Sequence, residues 1–345
     1  MNRILLKAIG ALAVLGLAAL LAGCNGLTSG NARSTQPLKS ATVSKLSAMG
    51  SSPGAAMMIR IYKESSELEV WKQVGNGSFK LFKSYEICAW SGALGPKIKE
   101  GDRQSPEGFY TITPGLMNPN SNYYLAFNTG FPNKFDRAHG RTGSDLMVHG
   151  DCSSRGCYSM TDESIAEIYA LARETFKGGN NSFQLQIFPF RMTAKNFARH
   201  ADSPHMSFWR DIKEGYDRFE VARRPPTWDV CEKQYVFGVS GGGLDAAASC
   251  PSGAKVLPAS VAARQQADDA AFKTELAAIN DRAAKQAAEE QAAADAKESA
   301  KARGEAIGSF FGGLFGGENS AEADQQPQTT APQSAPVPQP RLDRV

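Results

Sequence analysis

Between residues 57 and 258, short apolar runs alternate with turn-forming residues, and this pattern predicts a series of short β-strands. The series opens with "MMIRIYK", "LEVWKQV" and "GSFKLFKSYEIC", and the Gly-Asn-Gly turn at residues 75–77 predicts a hairpin between the last two. Further strands are predicted at "EGFYTITP", "DLMVHG" and "QLQIFPF", whose internal proline is typical of an edge or a strand end. We therefore expect strands to dominate this stretch.

One segment of the same stretch has the period of a helix. In "TDESIAEIYALARETFKGG" apolar residues recur every three or four positions, Thr161 or Asp162 offers an N-cap, and the closing glycine pair offers a stop. The whole stretch has about 200 residues, which is enough to bury a core. The sequence thus predicts an α+β fold: a mainly β domain over residues 57–258 with packed helices.

The pattern changes again after Pro258. Residues 259–306 are rich in strong helix formers and carry one narrow apolar stripe at Phe272, Leu276 and Ile279, which predicts a long, mostly solvated helix. Residues 307–345 begin with "IGSFFGGLFGG", which we interpret as a glycine-rich linker, with a membrane or partner contact as the alternative. The Pro- and Gln-rich remainder predicts a disordered tail.

The first 23 residues have the pattern of a secretion signal. Arg3 and Lys7 precede the apolar run "AIGALAVLGLAALLAG". The small residues directly before Cys24 resemble the lipobox of bacterial lipoproteins, in which the cysteine is lipidated and begins the mature protein. A single transmembrane anchor is the alternative, although the apolar run is marginal in length for a bilayer.

Residues 24–56 are polar, small and without period, which predicts a flexible tether between a lipid anchor and the domain. Asn25 stands where, by the lipoprotein resemblance, an aspartate would favour the inner membrane. We therefore expect a periplasmic protein held at the outer membrane by its lipid.

Charge excludes one class of partner. The formal net charge of +3 falls to +1 when Arg3 and Lys7 leave with the signal, and no basic block is interleaved with aromatic residues. Nucleic acid is therefore not an expected ligand.

Export also restricts the cysteines, because thiols are oxidised in the periplasm unless they are protected or used. With Cys24 lipidated, five cysteines remain, so at least one is expected to be free or unusually paired. Cys231 and Cys250 lie close together in a glycine-rich segment that gains most from a crosslink, and we predict a disulfide between them.

The densest cluster of reactive residues is "LMVHGDCSSRGCYSM", residues 146–160. A zinc site would use His149, Cys152 and Cys157, but the cysteine spacing is unusual and no second ligand pair follows. A disulfide between Cys152 and Cys157 would close a small loop and add little stability. The third interpretation is a cysteine nucleophile with its base.

The nucleophile interpretation accounts for more of the residues. His149 ends a predicted strand, and Gly150 provides the bend that can return its imidazole towards Cys157. Gly156 keeps the backbone open beside Cys157, so that a carbonyl can approach and nearby N–H groups can form an oxyanion hole. The base, the glycine bend, the open backbone and the nucleophile then all lie within residues 149–157.

These residues resemble the YkuD-type L,D-transpeptidases, whose signature pairs a histidine-glycine at a strand end with a Ser-x-Gly-Cys run. Here the runs are His149-Gly150 and Ser154-Arg155-Gly156-Cys157, closer together than in most members, with arginine in place of a second histidine. Both departures match the YafK-like branch of the family. So do the segments "SGALGPKIKEGDRQSPEGFYTI" and "FPNKFDRAHGRTG". The resemblance extends over residues 57–224 and implies a YkuD-like catalytic domain.

The resemblance also implies a role for each matching residue. Cys157 would be the nucleophile and His149 the general base, with the Gly150 carbonyl or a neighbouring group holding the imidazole tautomer. Ser154, Gly156 and Cys157 would line the oxyanion hole through their accessible backbone N–H groups. Three further residues are candidates to bind carboxylates of a peptide stem: Arg155, Arg141 and His139. For Arg141 and His139, an ordinary loop contact is the alternative. No metal or other cofactor is implied.

The family chemistry has two outcomes. Cys157 would attack the carbonyl at the L-centre of diaminopimelate in peptidoglycan and form a thioester. Transfer to an amine would make the protein a transpeptidase of cell wall remodelling, whereas transfer to water would make it an amidase that releases wall-attached outer-membrane proteins, the outcome linked to the YafK-like branch. A third possibility is an inactive lipoprotein that bridges membrane and wall, but the presence of both His149 and Cys157 argues against it. Expected partners are therefore peptidoglycan stems, wall-attached outer-membrane proteins and, through the lipid, a membrane.

Overall fold

The computed structural model describes residues 30–239 and 241–315. In chain order its helices and strands are α1 (Gly30–Thr35), α2 (Ser40–Ala48), β1 (Met57–Tyr62), β2 (Glu67–Gln73), β3 (Phe79–Glu86), β4 (Ala89–Trp90), β5 (Gly108–Ile112), β6 (Met117–Asn118), β7 (Ala126–Asn128), α3 (Lys134–Ala138), β8 (Met147–His149), β9 (Tyr158–Ser159), α4 (Asp162–Lys177), β10 (Phe183–Phe188), α5 (Ala194–Arg199), α6 (Met206–Ala222), β11 (Trp228–Cys231), β12 (Gln234–Phe237) and α7 (Ala259–Phe315). This arrangement confirms the predicted α+β class with a long helix on the C-terminal side.

The strands form two five-stranded sheets and a hairpin. The first sheet has the order β3-β2-β1-β10-β5, with β1 and β10 parallel and the other neighbours antiparallel. The second has the order β4-β9-β8-β7-β6, with only β8 and β9 parallel. β11 and β12 pair with each other as an antiparallel hairpin.

Strand β1 is buried on both faces, because the first sheet is covered on each side. Ile59 and Ile61 join the larger core on one face, together with apolar residues of the second sheet and of α4. Arg60 points to the other face and is fully buried there, where it pairs with Glu220 at 2.6 Å and lies 4.1 Å from the ring centre of Phe219. The pairing offsets the desolvation of the buried charge.

Helix α4 confirms the helix that the apolar period of residues 161–179 predicted. The Thr161 side chain accepts a hydrogen bond from the Ser164 N–H, which is an N-cap, and Gly178 is the C-cap. Ile165 and Ile168 are completely buried and pack into the larger core beside the second sheet. The helix therefore packs under the sheet that contains the 146–160 motif.

Residues 30–48 do not behave as the tether that was predicted for 24–56. They form α1 and α2, and Leu46 of α2 is completely buried in the larger core. The Thr42 hydroxyl also donates to Glu167 on α4 at 2.5 Å. Sequence reading missed this helix because two side chains four positions apart, Thr42 and Leu46, are enough to bury one face of it.

Helix α7 begins where the sequence predicted but continues to Phe315, beyond the predicted end at residue 306 and through part of the presumed glycine-rich linker. Its first turns pack on α6, where Arg264 pairs with Asp217 at 3.0 Å. The chain divides into two units, residues 1–281 and 282–345. Residues 282–315 of the second unit are helical, and the side chains of residues 282–311 are exposed.

Two predictions fall on residues outside the described part. The secretion signal with its lipidation site at Cys24 lies before residue 30, and the Pro- and Gln-rich tail lies after residue 315. Among the helices that the structure describes, none combines the length and the apolar character that a membrane span needs.

Candidate active site

The second sheet brings the two central residues of the motif together. β8 and β9 run parallel, with Val148 opposite Tyr158 and His149 opposite Ser159. His149 is the last residue of β8, and Cys157 directly precedes β9. The base and the nucleophile predicted from the sequence therefore lie on neighbouring strands.

His149 is held in one tautomer by the backbone. The side chain is only 3% exposed, and its Nδ1 lies 2.5 Å from the Gly150 carbonyl oxygen. A carbonyl can only accept a hydrogen bond, so Nδ1 must carry the proton and Nε2 must present a lone pair. The ring of Tyr123 covers the imidazole, with ring centres 4.8 Å apart. Nε2 is the nitrogen that can act as a base.

Gly150 is required where it stands because its surroundings leave no room for a side chain. A Cβ at this position would lie 2.6 Å from Asp162 Oδ1 and 2.9 Å from Tyr124 Cβ. The Gly150 N–H donates to the carbonyl oxygens of Tyr123 and Leu125, at 3.0 and 3.2 Å. These contacts fix the peptide whose carbonyl orients His149.

Cys157 is a half-buried free thiol and the only free cysteine among the described residues. Its Sγ accepts a hydrogen bond from the Met147 N–H at 3.4 Å and donates to the Asp145 carbonyl at 3.6 Å. No hydrogen bond joins the thiol to His149 within the described part of the chain. Such contacts often form only when substrate binds, so this geometry is compatible with a base role for His149.

Burial favours the uncharged forms of both Cys157 and His149 in the free protein. It raises the pKa of the Cys157 thiol above its ordinary range, against a smaller lowering by the Met147 N–H. It also lowers the pKa of His149, against the Gly150 carbonyl, which raises it. At neutral pH the free protein therefore holds a thiol beside an uncharged imidazole, and not a thiolate beside an imidazolium.

The loop between the two residues is braced from several sides. A disulfide joins Cys152 to Cys88, with Cα atoms 5.1 Å apart. The Ser154 and Ser105 hydroxyls both donate to the Cys157 carbonyl oxygen, at 2.7 and 3.3 Å. Gly156 has a φ of +119°, which favours glycine. The interpretation that joined Cys152 to Cys157 as a disulfide is therefore not supported.

The predicted oxyanion hole corresponds to free backbone donors. The N–H groups of Gly156 and Cys157 donate to no acceptor within residues 30–239 and 241–315. The Ser154 hydroxyl supports the Cys157 carbonyl, and the predicted role of the Ser154 N–H stays a prediction. Two open N–H groups beside the thiol are what a developing oxyanion needs.

Of two predicted carboxylate ligands, Arg141 is buried and His139 is exposed. Arg141 is 7% exposed, pairs with Asp136 at 2.8 Å and stacks on the rings of Phe135 and Phe208. A buried guanidinium needs such a partner within the fold. His139 caps α3, and its Nδ1 lies 3.0 Å from the Phe135 carbonyl. Arg141 therefore makes the structural contact that was its alternative, whereas the role of the exposed His139 stays a prediction.

The structure also locates the remaining residues that the sequence predicted for functional or disulfide roles. Arg155 is exposed and has no ion pair among the described residues. The predicted partners Cys231 and Cys250 are joined by a disulfide, with Cα atoms 5.2 Å apart. No group of three or more histidine, cysteine or acidic side chains in the described ranges is arranged to hold a metal ion.

Sequence reading missed three residues of the site. Tyr123 covers His149, and Ser105 supports the Cys157 carbonyl. Burial raises the pKa of Cys157, and the charge of Lys97 opposes part of that rise. Lys97 is itself buried and pairs with Asp102 at 2.5 Å. These residues lie 26 to 60 positions from their partners in the chain, and no local pattern marks such contacts.

The comparisons with known proteins agree with this geometry. The profile of the YkuD L,D-transpeptidase catalytic domain matches residues 55–177. The protein named "Putative L,D-transpeptidase YafK" in Escherichia coli K12 is 46% identical over 183 residues, which are 53% of this chain and 74% of that protein. The protein of the same name in Escherichia coli O157:H7 matches equally well. The chain belongs to the YkuD-type L,D-transpeptidase family and is YafK-like.

Solved structures match over a smaller part. The helical cell shape determining protein Pgp2 of Campylobacter jejuni is 21% identical, with a TM-score of 0.29 over 42% of this chain and 54% of that one. Bd1075 of Bdellovibrio bacteriovorus is 22% identical, with a TM-score of 0.28 over 48% of this chain and 60% of that one. The chain therefore spans little more than half the length of these proteins.

Proposed function

We propose that this protein is a cysteine-dependent L,D-transpeptidase that acts on diaminopimelate-containing peptide stems of peptidoglycan. The observation that carries the proposal is the free thiol of Cys157 beside a buried imidazole whose proton is held on Nδ1 by the Gly150 carbonyl. Membership of the YkuD family supports the substrate class.

The neutral resting pair determines how the reaction begins. As the Cys157 sulfur attacks the stem carbonyl, Nε2 of His149 takes the thiol proton, so the thiolate forms only when it is needed. The oxygen that becomes negative accepts hydrogen bonds from the free N–H groups of Gly156 and Cys157. His149 then returns the proton to the departing amine, and a thioester remains on Cys157.

The second half of the reaction runs through the same groups. An amine of a second stem attacks the thioester carbonyl and passes a proton to Nε2 of His149. The Cys157 sulfur leaves and recovers a proton, and the new amide is released. Arg155, which is exposed beside the nucleophile and has no ion pair in the described ranges, is available to hold a stem carboxylate.

The test is mass analysis of purified muropeptides incubated with the protein. We expect new crosslinked species with the wild type and none with Cys157→Ser, because a hydroxyl stays protonated and is the weaker nucleophile. Ser153→Ala is the matched control, since Ser153 lies in the same loop, is exposed and is expected to be dispensable. Shortened stems without new crosslinks would show that water takes the acyl group. Trimmed protein remnants on protein-linked muropeptides would make the protein an amidase. An active Cys157→Ser variant would refute the proposal.

We also propose that the protein is held at a membrane by a lipid on Cys24, facing the periplasm at the outer membrane. The residues before Cys24 support this assignment, as does a catalytic domain whose substrate lies in the cell wall. Metabolic labelling with a fatty-acid analogue tests it. The wild type should be labelled and Cys24→Ser should not, whereas equal labelling of both would rule out this anchor.

A further inference from the structure

A cavity lies at the edge of the first sheet that is formed by β5. Its volume is about 600 Å³, within the usual range for small-molecule sites. Its walls include Thr111 and Gln184 from the sheet, Arg137 from α3, Trp228 and Asp229 from β11, and Gly242. Several of these residues follow residue 177, beyond the part that matches the family profile.

The pairing of the strands places one wall of the cavity close to Cys157. Gly130 forms part of its wall, and the neighbouring Thr129 N–H donates to the Leu146 carbonyl. The next residue along that strand, Met147, binds the Cys157 thiol. Two strand spacings therefore separate the cavity wall from the thiol, roughly 10 Å. An extended peptide covers that distance with about three residues.

The cavity carries one uncompensated positive charge among the described residues. Lys134 is neutralised by Asp229, which lies 2.5 Å away. Arg137 has no carboxylate partner there, and its guanidinium donates only to the Pro132 carbonyl of its own turn. The Arg137 side chain is exposed at the cavity wall. A free planar guanidinium is suited to bidentate binding of a carboxylate.

The remaining free polar groups at the walls include further donors. The Trp228 indole N–H and the Thr227 hydroxyl make no hydrogen bond within the described ranges, whereas the amide of Asn133 is used internally and donates to the Phe109 carbonyl at 2.7 Å. The half-buried ring of Trp228 offers an apolar surface beside them. Donors next to an aromatic ring fit a ligand that is rich in acceptors and has apolar parts, such as a peptide.

We propose that this cavity binds a carboxylate of the peptidoglycan stem, with Arg137 as its ionic partner and Trp228 against the peptide. The proposal rests on the proposed function, since it identifies where the stem continues beyond the thiol. A stem of the diaminopimelate type carries carboxylates along its length, so a stem whose carbonyl is at Cys157 can extend one of them into the cavity, whose Gly130 wall lies roughly 10 Å from the thiol. Arg137 is thus a specificity residue for the reaction.

The test measures binding apart from turnover. Calorimetry is carried out on the full chain with Cys157→Ser, with a disaccharide-tetrapeptide as one probe and the same compound with amidated carboxylates as the other. Arg137→Gln should weaken binding of the native probe by about tenfold or more, the usual loss for a charged hydrogen bond, and should not change binding of the amidated probe. Arg137→Lys should restore part of the affinity, because it keeps the charge without the planar fork.

Lys80→Gln is the matched control. It also removes one exposed cation, but on β3, at the opposite edge of the first sheet from β5, and it should leave binding unchanged. Equal binding of the native probe by wild-type and Arg137→Gln proteins would overturn the proposal, as would an equal loss with both probes or no binding at millimolar concentration. Binding that depends on Arg137 in a protein without turnover would instead refute only the proposed function. Normal turnover with kcat/KM unchanged by Arg137→Gln would refute only the proposal that the cavity binds the stem.

Discussion

Removing the disulfide next to the catalytic loop should lower stability without lowering turnover. The double variant Cys88→Ser/Cys152→Ser opens a loop whose ends are 64 positions apart. The chain-entropy relation gives about 4 kcal/mol for a loop of that length at 25 °C. For Cys231 and Cys250, which are 19 positions apart, the same relation gives about 3 kcal/mol. Both double variants should therefore unfold at lower denaturant concentration.

The expectation for turnover follows from what holds the catalytic residues. His149 and Cys157 are positioned by the pairing of β8 with β9, by the Gly150 carbonyl and by the serine hydroxyls at the Cys157 carbonyl. The disulfide acts mainly on the unfolded ensemble, so the folded fraction should keep its geometry. We expect kcat to stay within about threefold of the wild type, since larger losses accompany displacement of catalytic groups.

Urea unfolding and muropeptide turnover, both at 25 °C, measure the two quantities separately. The Cys231→Ser/Cys250→Ser variant serves as the control, because its disulfide connects β11 to a loop outside the motif. A tenfold loss of kcat in folded Cys88→Ser/Cys152→Ser protein would show that the disulfide holds the active conformation, contrary to this reasoning. An unchanged free energy of unfolding in Cys88→Ser/Cys152→Ser would contradict the estimate of about 4 kcal/mol.

Three further predictions concern protonation and packing. Because burial raises the pKa of Cys157, alkylation of its thiol by iodoacetamide in the free protein should accelerate with a midpoint above the ordinary cysteine value, and a midpoint near pH 7 would disprove the neutral pair. Gly150→Ala should cost about 1–3 kcal/mol in denaturant unfolding and should lower kcat, because its Cβ would lie 2.9 Å from Tyr124 Cβ and displace the carbonyl that orients the base; an unchanged kcat would count against that role. Burial raises the pKa of Asp211 to about 7, so the native state binds more protons than the unfolded state between about pH 4 and 7, and stability falls as pH rises through that window. Asp211→Asn, which keeps an acceptor for the Tyr235 N–H, should therefore be more stable than wild type at pH 8 by about 1–3 kcal/mol, with no such gain at pH 4, and equal melting curves at pH 8 would refute the shift.

Local patterns in the sequence were sufficient to identify the candidate pair, His149 and Cys157, and most secondary structure. A strand end, a glycine and a Ser-x-Gly-Cys run lie within nine residues, and strand pairing of β8 with β9 needs only the short loop between them. Helix α4 was predicted for the same reason, since its cap, apolar period and stop are all local. Helix period and capping act over a few residues, so they can be read along the chain.

Contacts between distant segments were decided by the tertiary structure alone. Arg141 has the same local sequence whether it binds substrate or Asp136, and only the burial of its guanidinium against Phe135 and Phe208 distinguishes the two. The pairing of Cys88 with Cys152 depends on β4 lying beside β9. The free charge of Arg137 likewise depends on Asp229, from a strand about 90 residues away, pairing with Lys134 instead. Charge compensation and burial depend on which segments meet in space, and a one-dimensional pattern does not specify those partners.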